Sequence, residues 1–515
     1  MIPIIDLFAG PGGLGEGFAS LRDGDGAPIF QSILSIERDA QAHKTLRLRA
    51  YLRKILDFDD AVPDVYARYM QRHDAVTFDD LISYRPELWK ASDEEALQAE
   101  LKEGDDTHVK LATERLEKWR KIHGTGPLVI IGGPPCQAYS LAGRSRRAHD
   151  VTFEEDEKHT LYKCYLSFIK ALKPDVFVME NVKGLLSATH KGQRMFSRIV
   201  NDMRANGYEI RSLVTKNPES PRDYVVRAER YGIPQARHRV ILLGVREDLN
   251  LKTGVLTERP EINLGQALDG MPKIRSTFSR KSKEKDSVGW EAYVNAAAKR
   301  IMKTQEGGEL TPALERVLSS GSPRSNEGQC VTSDCGGPYE RWYRFRLDDR
   351  NVLTSHVARS HLALDLDRYL FCAAYAEVKG RSPHLEDFPR YLLPNHRNVQ
   401  SAEKGSFKFN DRFRVQVANR PATTITSHIA KDGHYYIHPD PIQCRSLTVR
   451  EAARLQTFPD DYLFEGNRTA QYTQVGNAVP PLLAQQIAKV VATSLEIASA
   501  GYFDTYQESR DETTA

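Results

Sequence analysis

Gly132-Gly133-Pro134-Pro135-Cys136-Gln137-Ala138-Tyr139-Ser140 sets a thiol directly beyond a rigid turn. The preceding apolar run, Leu128-Val129-Ile130-Ile131, reads as a short buried strand. Two glycines and two prolines end that strand and restrict the backbone. A cysteine on stiff backbone at the carboxyl end of a strand sits where open α/β sheets place their ligands. Taken alone, the pattern favours a buried structural cysteine beside a turn, and the rest of the chain reverses that preference.

Outward from this segment, β-rich runs alternate with helical stretches over the first half of the chain. Expected strands are Ile4 to Phe8, Ile29 to Ile36, Leu128 to Ile131, Val176 to Met179, Glu209 to Thr215 and Val240 to Val245. Strands spaced by helices predict an α/β fold with a mostly parallel sheet and helices on both faces. Lys216 to Arg239 holds no clear helix, so the last two strands are expected to pair antiparallel at a sheet edge. The charged, helix-prone segment 88–123 reads as a helical insertion. From Arg246 to about Tyr436 the chain turns polar, with few regular apolar periods, and reads as a second domain. Thr448 with Glu451 three residues later forms a plausible capping box. Leu482 to Ile497 is expected as a final apolar helix, and 506–515 as a disordered tail.

The chain has 515 residues, 40% hydrophobic and 27% charged, the composition of an ordinary globular protein with room for two domains. It has no run of about 18 apolar residues and no basic-then-apolar leader, which argues against membrane insertion and secretion. Cys136, Cys164, Cys330, Cys335, Cys372 and Cys444 follow no regular spacing, which suits a reducing cytoplasm. The Cys330/Cys335 pair lacks partners at zinc-like spacing, so no metal site is expected. The net charge of +3 is too small to argue for nucleic acid. Between Met271 and Lys303, however, nine Lys or Arg face three acids, including Arg280-Lys281-Ser282-Lys283. Such a run is either a solvated loop or a phosphate-contacting segment.

Five further motifs accompany the cysteine segment. Asp6-Leu7-Phe8-Ala9-Gly10-Pro11-Gly12-Gly13-Leu14-Gly15-Glu16-Gly17-Phe18 joins a strand to a helix through a glycine-rich turn. Glu180-Asn181-Val182 and Gln235-Ala236-Arg237-His238-Arg239 follow the cysteine. Arg445-Ser446-Leu447-Thr448-Val449-Arg450-Glu451-Ala452-Ala453-Arg454-Leu455-Gln456 and Gln474-Val475-Gly476-Asn477-Ala478-Val479-Pro480-Pro481 lie near the end. In content and order the set resembles the DNA (cytosine-5) methyltransferases of bacterial restriction–modification type.

That resemblance implies the Rossmann-like fold of S-adenosylmethionine-dependent methyltransferases with an inserted, smaller target-recognition domain. The expected division is a catalytic domain over 1–246, target recognition over 247–436 and a return to the catalytic domain over 437–505. It implies S-adenosylmethionine as cofactor, held by Phe8, Gly10, Pro11 and Gly13 of the glycine turn, Glu37 on the ribose, Pro135 and Asn477. Asp79, in Val76-Thr77-Phe78-Asp79-Asp80-Leu81, is the best candidate for the acid after the third strand. The Asp6 strand comes almost at once, with no upstream helix to cover that side of the sheet, and the helix after Pro481 is expected to fill the gap.

Cys136 is implied as a nucleophile, Glu180 as the acid that serves the target base, Arg239 as its carbonyl contact and Arg237 as a further positive charge. Double-stranded DNA is the expected partner. Ser140, Arg144, Arg146 and Arg147 form a basic loop expected to close over DNA. Thr424, in Arg420-Pro421-Ala422-Thr423-Thr424-Ile425-Thr426, resembles a segment near the end of the target-recognition domain. Arg341-Trp342-Tyr343-Arg344-Phe345-Arg346 reads as a DNA-facing strand or, equally, as half-buried core.

An RNA cytosine-5 methyltransferase fits less well, because the Cys-Phe-Thr tripeptide of small tRNA-specific relatives is absent and the variable region is large. An inactive DNA-binding homologue should have lost Cys136, Glu180 or Arg239, and all three stand. Any cleaving partner, a restriction endonuclease or a defence complex, is expected to be a separate chain.

Overall fold

A computed structural model describes residues 1–59, 61–71, 76–135, 161–190, 192–280, 289–328, 337–344, 347, 353–394 and 412–496. These fall into two compact units. The first comprises Met1–Asp60, Asp79–Glu261 and Ala478–Ala515, and the second Ala61–Phe78 and Ile262–Asn477.

The first unit is built on an eight-stranded sheet. Its strands are β1 (Ile2–Leu7), β2 (Phe30–Glu37), β3 (Ala96–Gln98), β4 (Val129–Gly132), β5 (Val176–Val182), β6 (Tyr208–Arg211), β7 (Val225–Arg227) and β8 (His238–Arg246). The order across the sheet is β3-β2-β1-β4-β5-β8-β6, with β7 paired to β8. The first five strands run parallel, and β8 runs antiparallel to β5, β6 and β7. The antiparallel edge is the one the helix-free segment 216–239 predicts, and the helical turns in that segment are short 3-10 ones.

Helices α1 (Gly13–Ala19), α2 (Ala40–Leu56), α3 (Pro86–Glu95), α4 (Thr107–His123), α5 (Leu161–Leu172) and α6 (Met195–Arg204) connect these strands. Ile5 and Leu7 of β1 enter a buried cluster with Leu116 of α4, Phe168 of α5 and Ile199 of α6. Strand alternation turns Asp6 to the opposite face, against Gly15 of α1. The expected carboxyl-terminal helix runs from Pro481 to Ser494 and packs on α1. A side chain at Gly17 would meet Ala484 Cβ at 2.3 Å and the Pro481 carbonyl at 2.4 Å, so only glycine lets the two helices approach this closely.

Segment 88–123 differs from its reading as a purely helical insertion. Between α3 and α4 it contributes β3, which pairs in parallel with β2 and forms one edge of the sheet. Three residues, Ala-Leu-Gln, carry no β-branched or aromatic signal that would separate them from the helices on either side.

In the second unit the expectation of few apolar periods is corrected by a helical core. Helices α7 (Trp290–Met302), α8 (Thr311–Ser320) and α10 (Ala363–Lys379) bury Val294, Ala298, Leu314, Leu366, Leu370 and Phe371 in one cluster. Every residue from Asp365 to Ala376 is buried. A helix covered on all sides has no amphipathic period to detect.

Glu340–Arg344 forms a short helix, α9, rather than a strand. Trp342 Nε1 donates to the Thr457 carbonyl at 2.8 Å, and the Tyr343 hydroxyl donates to the Arg454 carbonyl at 2.7 Å. Both aromatic side chains are therefore core, and residues 345–346 lie outside the described residues.

The second unit runs to Asn477, so 437–477 packs with it and the chain returns to the first unit only at Ala478. The reason is a buried polar network. Thr448 and Glu451 form the expected capping box on α11 (Val449–Leu455), and Arg445 clasps Glu451 through contacts of 2.6 and 2.7 Å. Burial alone would raise the Glu451 carboxyl, but the Arg445 charge outweighs it and holds Glu451 well below the usual carboxylate range. Arg450 donates to the Thr354, Pro459 and Tyr462 carbonyls, and Arg454 pairs with Asp460. Three arginines of one motif are thus consumed in holding loops of this unit together. Cys164, Cys372 and Cys444 are buried free thiols, while Cys330, Cys335 and the tail from 506 lie outside the described residues.

Candidate active site

Parallel strands with matched ends carry their next residues to one edge. Leu7 stands beside Ile36 and Gly132, and Gly132 beside Met179. Phe8, Glu37, Gly133 and Glu180 therefore follow in line at the carboxyl ends of β1, β2, β4 and β5. Because β8 is antiparallel, its start reaches the same edge, with Arg239 opposite Val182 and Ile241 opposite Glu180. Glu180 thus stands within the β5 ladder, a residue beyond the expected strand end.

Arg239 Nε lies 2.7 Å from Glu180 Oε1, and each side chain is 15% exposed. Glu180 is therefore one half of an ion pair. A Cβ at Gly133 would lie 2.9 Å from Glu180 Oε2, so the glycine leaves room for this carboxylate. Asn181 Nδ2 donates to the Pro134 carbonyl at 3.3 Å, while its Oδ1 accepts from the Val182 backbone at 2.9 Å. Asn181 thereby fastens the turn that leads to Cys136 onto β5. It is part of a quoted motif, yet a lone asparagine gives no sign of which carbonyl it will reach.

Cys136, Ser140, Arg144, Arg146 and Arg147 lie outside the described residues. Pro135, the last described residue before them, is half-buried. Arg237 is 2% exposed, with its backbone held by Ala228 and Gln235. Its neighbour His238 pairs with Glu229 at 2.7 Å and, by strand alternation, projects from the face opposite Arg239.

The glycine turn is wound through left-handed backbone at Phe8 (φ 58°), Gly10 (φ 59°) and Gly12 (φ 96°). A bulky residue seldom adopts this conformation, and such residues cluster at ligand sites. Glu37 Oε2 accepts from the Gly10 backbone at 2.8 Å, and Oε1 from the Asp39 backbone at 2.7 Å. The carboxylate is fixed by two backbone donors, with its remaining acceptor capacity open to a ligand. Pro11 and Gly13 are buried in the same turn.

Asp79 does not follow the third strand. It is exposed in the first turn of the short helix Phe78–Ser83. The acid that follows β3 is Glu100, whose Oε1 pairs with Arg38 Nη1 at 2.9 Å, beside Glu37. Sequence reading missed it because β3 itself was hidden among helix formers.

Asn477 and Thr424 belong to the second unit. Asn477 is the exposed last residue of α12 (Arg468–Asn477), and the Thr424 carbonyl accepts from the Tyr436 hydroxyl at 3.1 Å. Arg280 is described, but Lys281 and Lys283 lie outside the described residues.

Asp6, just before the glycine turn, is 1% exposed. Burial and then the Glu37 charge push its carboxyl up from 3.8 to about 8, against the opposing pull of Arg53 and the Gly15 backbone. The folded protein then holds a proton that the unfolded chain releases above about pH 4. Stability contributed by that proton is complete below the unfolded pKa and falls as pH rises through about 8. Asp6→Asn is therefore expected to gain on the parent across this window, by at most about 1.4 kcal/mol per pH unit. Urea unfolding at pH 5, 7 and 9 checks this, and a constant difference between the two proteins would refute it.

Among the described residues, no helix is long and apolar enough to cross a membrane, and no group of His, Cys, Asp and Glu is arranged to hold a metal ion.

Comparison with known proteins gives this site a context. The family model described as C-5 cytosine-specific DNA methylase matches residues 100–493. The chain is 32% identical over 506 residues to the type II methyltransferase M.Bpa9945I of Bacillus paralicheniformis, covering 95% of this chain and 98% of the relative. It is 26% identical over 514 residues to the type II methyltransferase M.DdeI of Desulfomicrobium norvegicum, covering 96% and 89%. A crystal structure of a prophage-encoded E. coli chain, assigned as a DNA modification methyltransferase, superposes with a TM-score of 0.51 at 20% identity, covering 96% of this chain and all of that one. The sheet and its helices accordingly have the Rossmann-like fold of S-adenosylmethionine-dependent methyltransferases. With a family match over most of its length and a relative alike from end to end, this chain belongs to the C-5 cytosine-specific DNA methylases and is a DNA (cytosine-5) methyltransferase.

Proposed function

We propose that this enzyme methylates carbon 5 of one cytosine within a specific sequence of double-stranded DNA, through a covalent adduct with Cys136. The observation that carries this reading is the Glu180–Arg239 pair, 2.7 Å apart and packed on the Gly133 backbone three residues before Cys136. It supplies a carboxyl group and a guanidinium beside the turn that bears the thiol.

S-adenosylmethionine, when bound, supplies an electrophilic methyl group. The fixed Glu37 carboxylate suits a diol such as a ribose, and the left-handed turn at Phe8 and Gly10 exposes backbone to a close-lying ligand. Phe8, Gly10, Pro11, Gly13, Glu37 and Pro135 would hold the cofactor, and Asn477 is a further proposed cofactor residue.

Carbon 5 of cytosine is a weak nucleophile, and adding a thiolate at carbon 6 divides the reaction into easier steps. Cys136 adds at carbon 6, electron density moves to ring nitrogen 3, and carbon 5 becomes an enamine carbon able to accept a methyl group. Glu180 delivers a proton at nitrogen 3, and Arg239 donates to the carbonyl oxygen at carbon 2. A base then takes the carbon 5 proton, the carbon 5–carbon 6 double bond re-forms as the bond to sulfur breaks and the Cys136 thiolate leaves, and nitrogen 3 returns its proton to Glu180. A free thiol titrates near about 8.5, so nearby arginine charge would assist ionisation. The base must leave the duplex to reach this edge, at a cost of a few kcal/mol. Ser140, Arg144, Arg146 and Arg147 would close over it, and residues of the second unit, Thr424 among them, would contact DNA and select the sequence.

The likeness to type II methyltransferases supports a role in restriction–modification within the cytoplasm, alongside a separate endonuclease. Bisulfite sequencing of DNA from cells expressing the chain tests the reading. A protected cytosine should recur in one short sequence context. Complete conversion at every site, despite folded protein, would overturn it.

A further inference from the structure

Behind the glycine turn lies a buried ion cluster with no part in the chemistry above. Glu16, in α1, receives Arg49 of α2 through two contacts, Nε to Oε2 at 2.9 Å and Nη2 to Oε1 at 2.6 Å. Both side chains are 1% exposed. Arg53 reaches Glu16 at 3.5 Å and Glu95 of α3 at 2.6 Å, and Lys54 reaches Glu95 at 2.6 Å. Burial would raise the Glu95 carboxyl, but Lys54 and Arg53 outweigh it and hold it below its usual range.

The two helices joined here each continue directly from a ligand-facing segment. Glu16 lies three residues beyond Gly13, where the glycine turn passes into α1, and α2 begins one residue after its Asp39 cap, whose backbone grips Glu37. Arg49 stands about three turns along α2 from that cap. The turn and the Glu37 segment are thus fastened to each other twice, by the Gly10–Glu37 hydrogen bond at the exposed edge and by Glu16–Arg49 in the dry interior. An ion pair removed from water keeps its geometry only while both partners stay in place.

We propose that Glu16, clasped by Arg49 and Arg53, is a positioning residue for methyl-donor binding, which holds the glycine turn at the correct distance from Glu37. The inference rests on the reading of this edge as the S-adenosylmethionine site. Shifts of about 1 Å in a positioned group can cost about a hundredfold. Glu16→Gln keeps the shape and removes the charge, while Arg49→Lys keeps the charge and removes the two-pronged grip.

Titration calorimetry with S-adenosylmethionine on the full chain is expected to show a Kd raised about tenfold to a hundredfold in Glu16→Gln, and less in Arg49→Lys. KM for the donor should rise in parallel, while kcat at saturating donor and affinity for duplex DNA stay within about threefold. In a Glu37→Ala background the further loss should shrink to about twofold, because the group being positioned is gone. A loss that merely loosened the fold would not spare kcat or depend on Glu37. Unchanged donor affinity in folded Glu16→Gln would overturn the proposal, as would a fall in kcat without a rise in KM. Failure of both single variants to fold would also overturn it, by making the cluster a requirement of the fold. If the parent protein itself fails to bind S-adenosylmethionine, the reading of the site falls instead.

Discussion

Cys136→Ala is expected to abolish methyl transfer, a loss of at least about 10³-fold, while the protein stays folded and still binds the methyl donor. The expectation follows from the division of labour along the sheet edge. In the proposed site the groups at the ends of β1 and β2 carry most of the hold on the donor, whereas the cysteine follows β4, so removing the thiol leaves Gly10, Glu37 and their hydrogen bonds untouched. Duplex DNA carrying 5-fluorocytosine at the target position gives the decisive measurement. Fluorine at carbon 5 cannot leave as a proton does, so the parent enzyme should be trapped as a covalent complex stable to denaturation. The alanine variant should yield none. An adduct of normal yield in Cys136→Ala would mean that another group attacks carbon 6.

Glu180→Gln is expected to lower kcat by about 10²–10⁴, the usual worth of a positioned acid or base. Glutamine keeps the side-chain volume beside Gly133 but cannot deliver a proton to nitrogen 3, and it leaves the Arg239 guanidinium without its counter-charge. The 5-fluorocytosine adduct should still form, more slowly, because the nucleophile is intact. Rapid-quench measurement of a single turnover separates this from a binding defect. The rate at saturating DNA and donor should fall with little change in either affinity. A rate within about threefold of the parent would remove Glu180 from the proton-transfer role.

The parts of this protein that were legible beforehand are those written in neighbouring residues. Apolar runs of four to eight residues bounded by glycine and proline mark β1, β2, β4, β5 and β8 to within a few residues. The parallel order follows because helices separate most of those strands, and the antiparallel edge follows because none separates the last pair. Once the strands are parallel, Phe8, Glu37 and Glu180 must emerge at one edge. The capping box of Thr448 and Glu451 was also readable, since both halves lie within four residues.

What escaped the sequence depended on partners far away along the chain. Asp79 was a reasonable acid until β3 proved to be a three-residue strand at Ala96–Gln98 that exists because β2 lies beside it, which makes Glu100 the acid that follows. Arg341 to Arg346 reads equally as a DNA-facing strand or as half-buried core, and only the fold decides for core, because Trp342 and Tyr343 find carbonyls more than a hundred residues away. The helix Ala363–Lys379 shows no period because every residue from Asp365 to Ala376 is buried. Sequence by itself determined the strand pattern, the glycine turn and the order of the motifs, all products of local backbone preference and hydrophobic spacing. Only the tertiary structure decided that Asn181 ties down the cysteine turn, that Arg239 meets Glu180 and that Glu16 is clasped by Arg49. A polar side chain's partner is settled by which distant backbone or charge the packed fold leaves within about 3 Å, away from competing water.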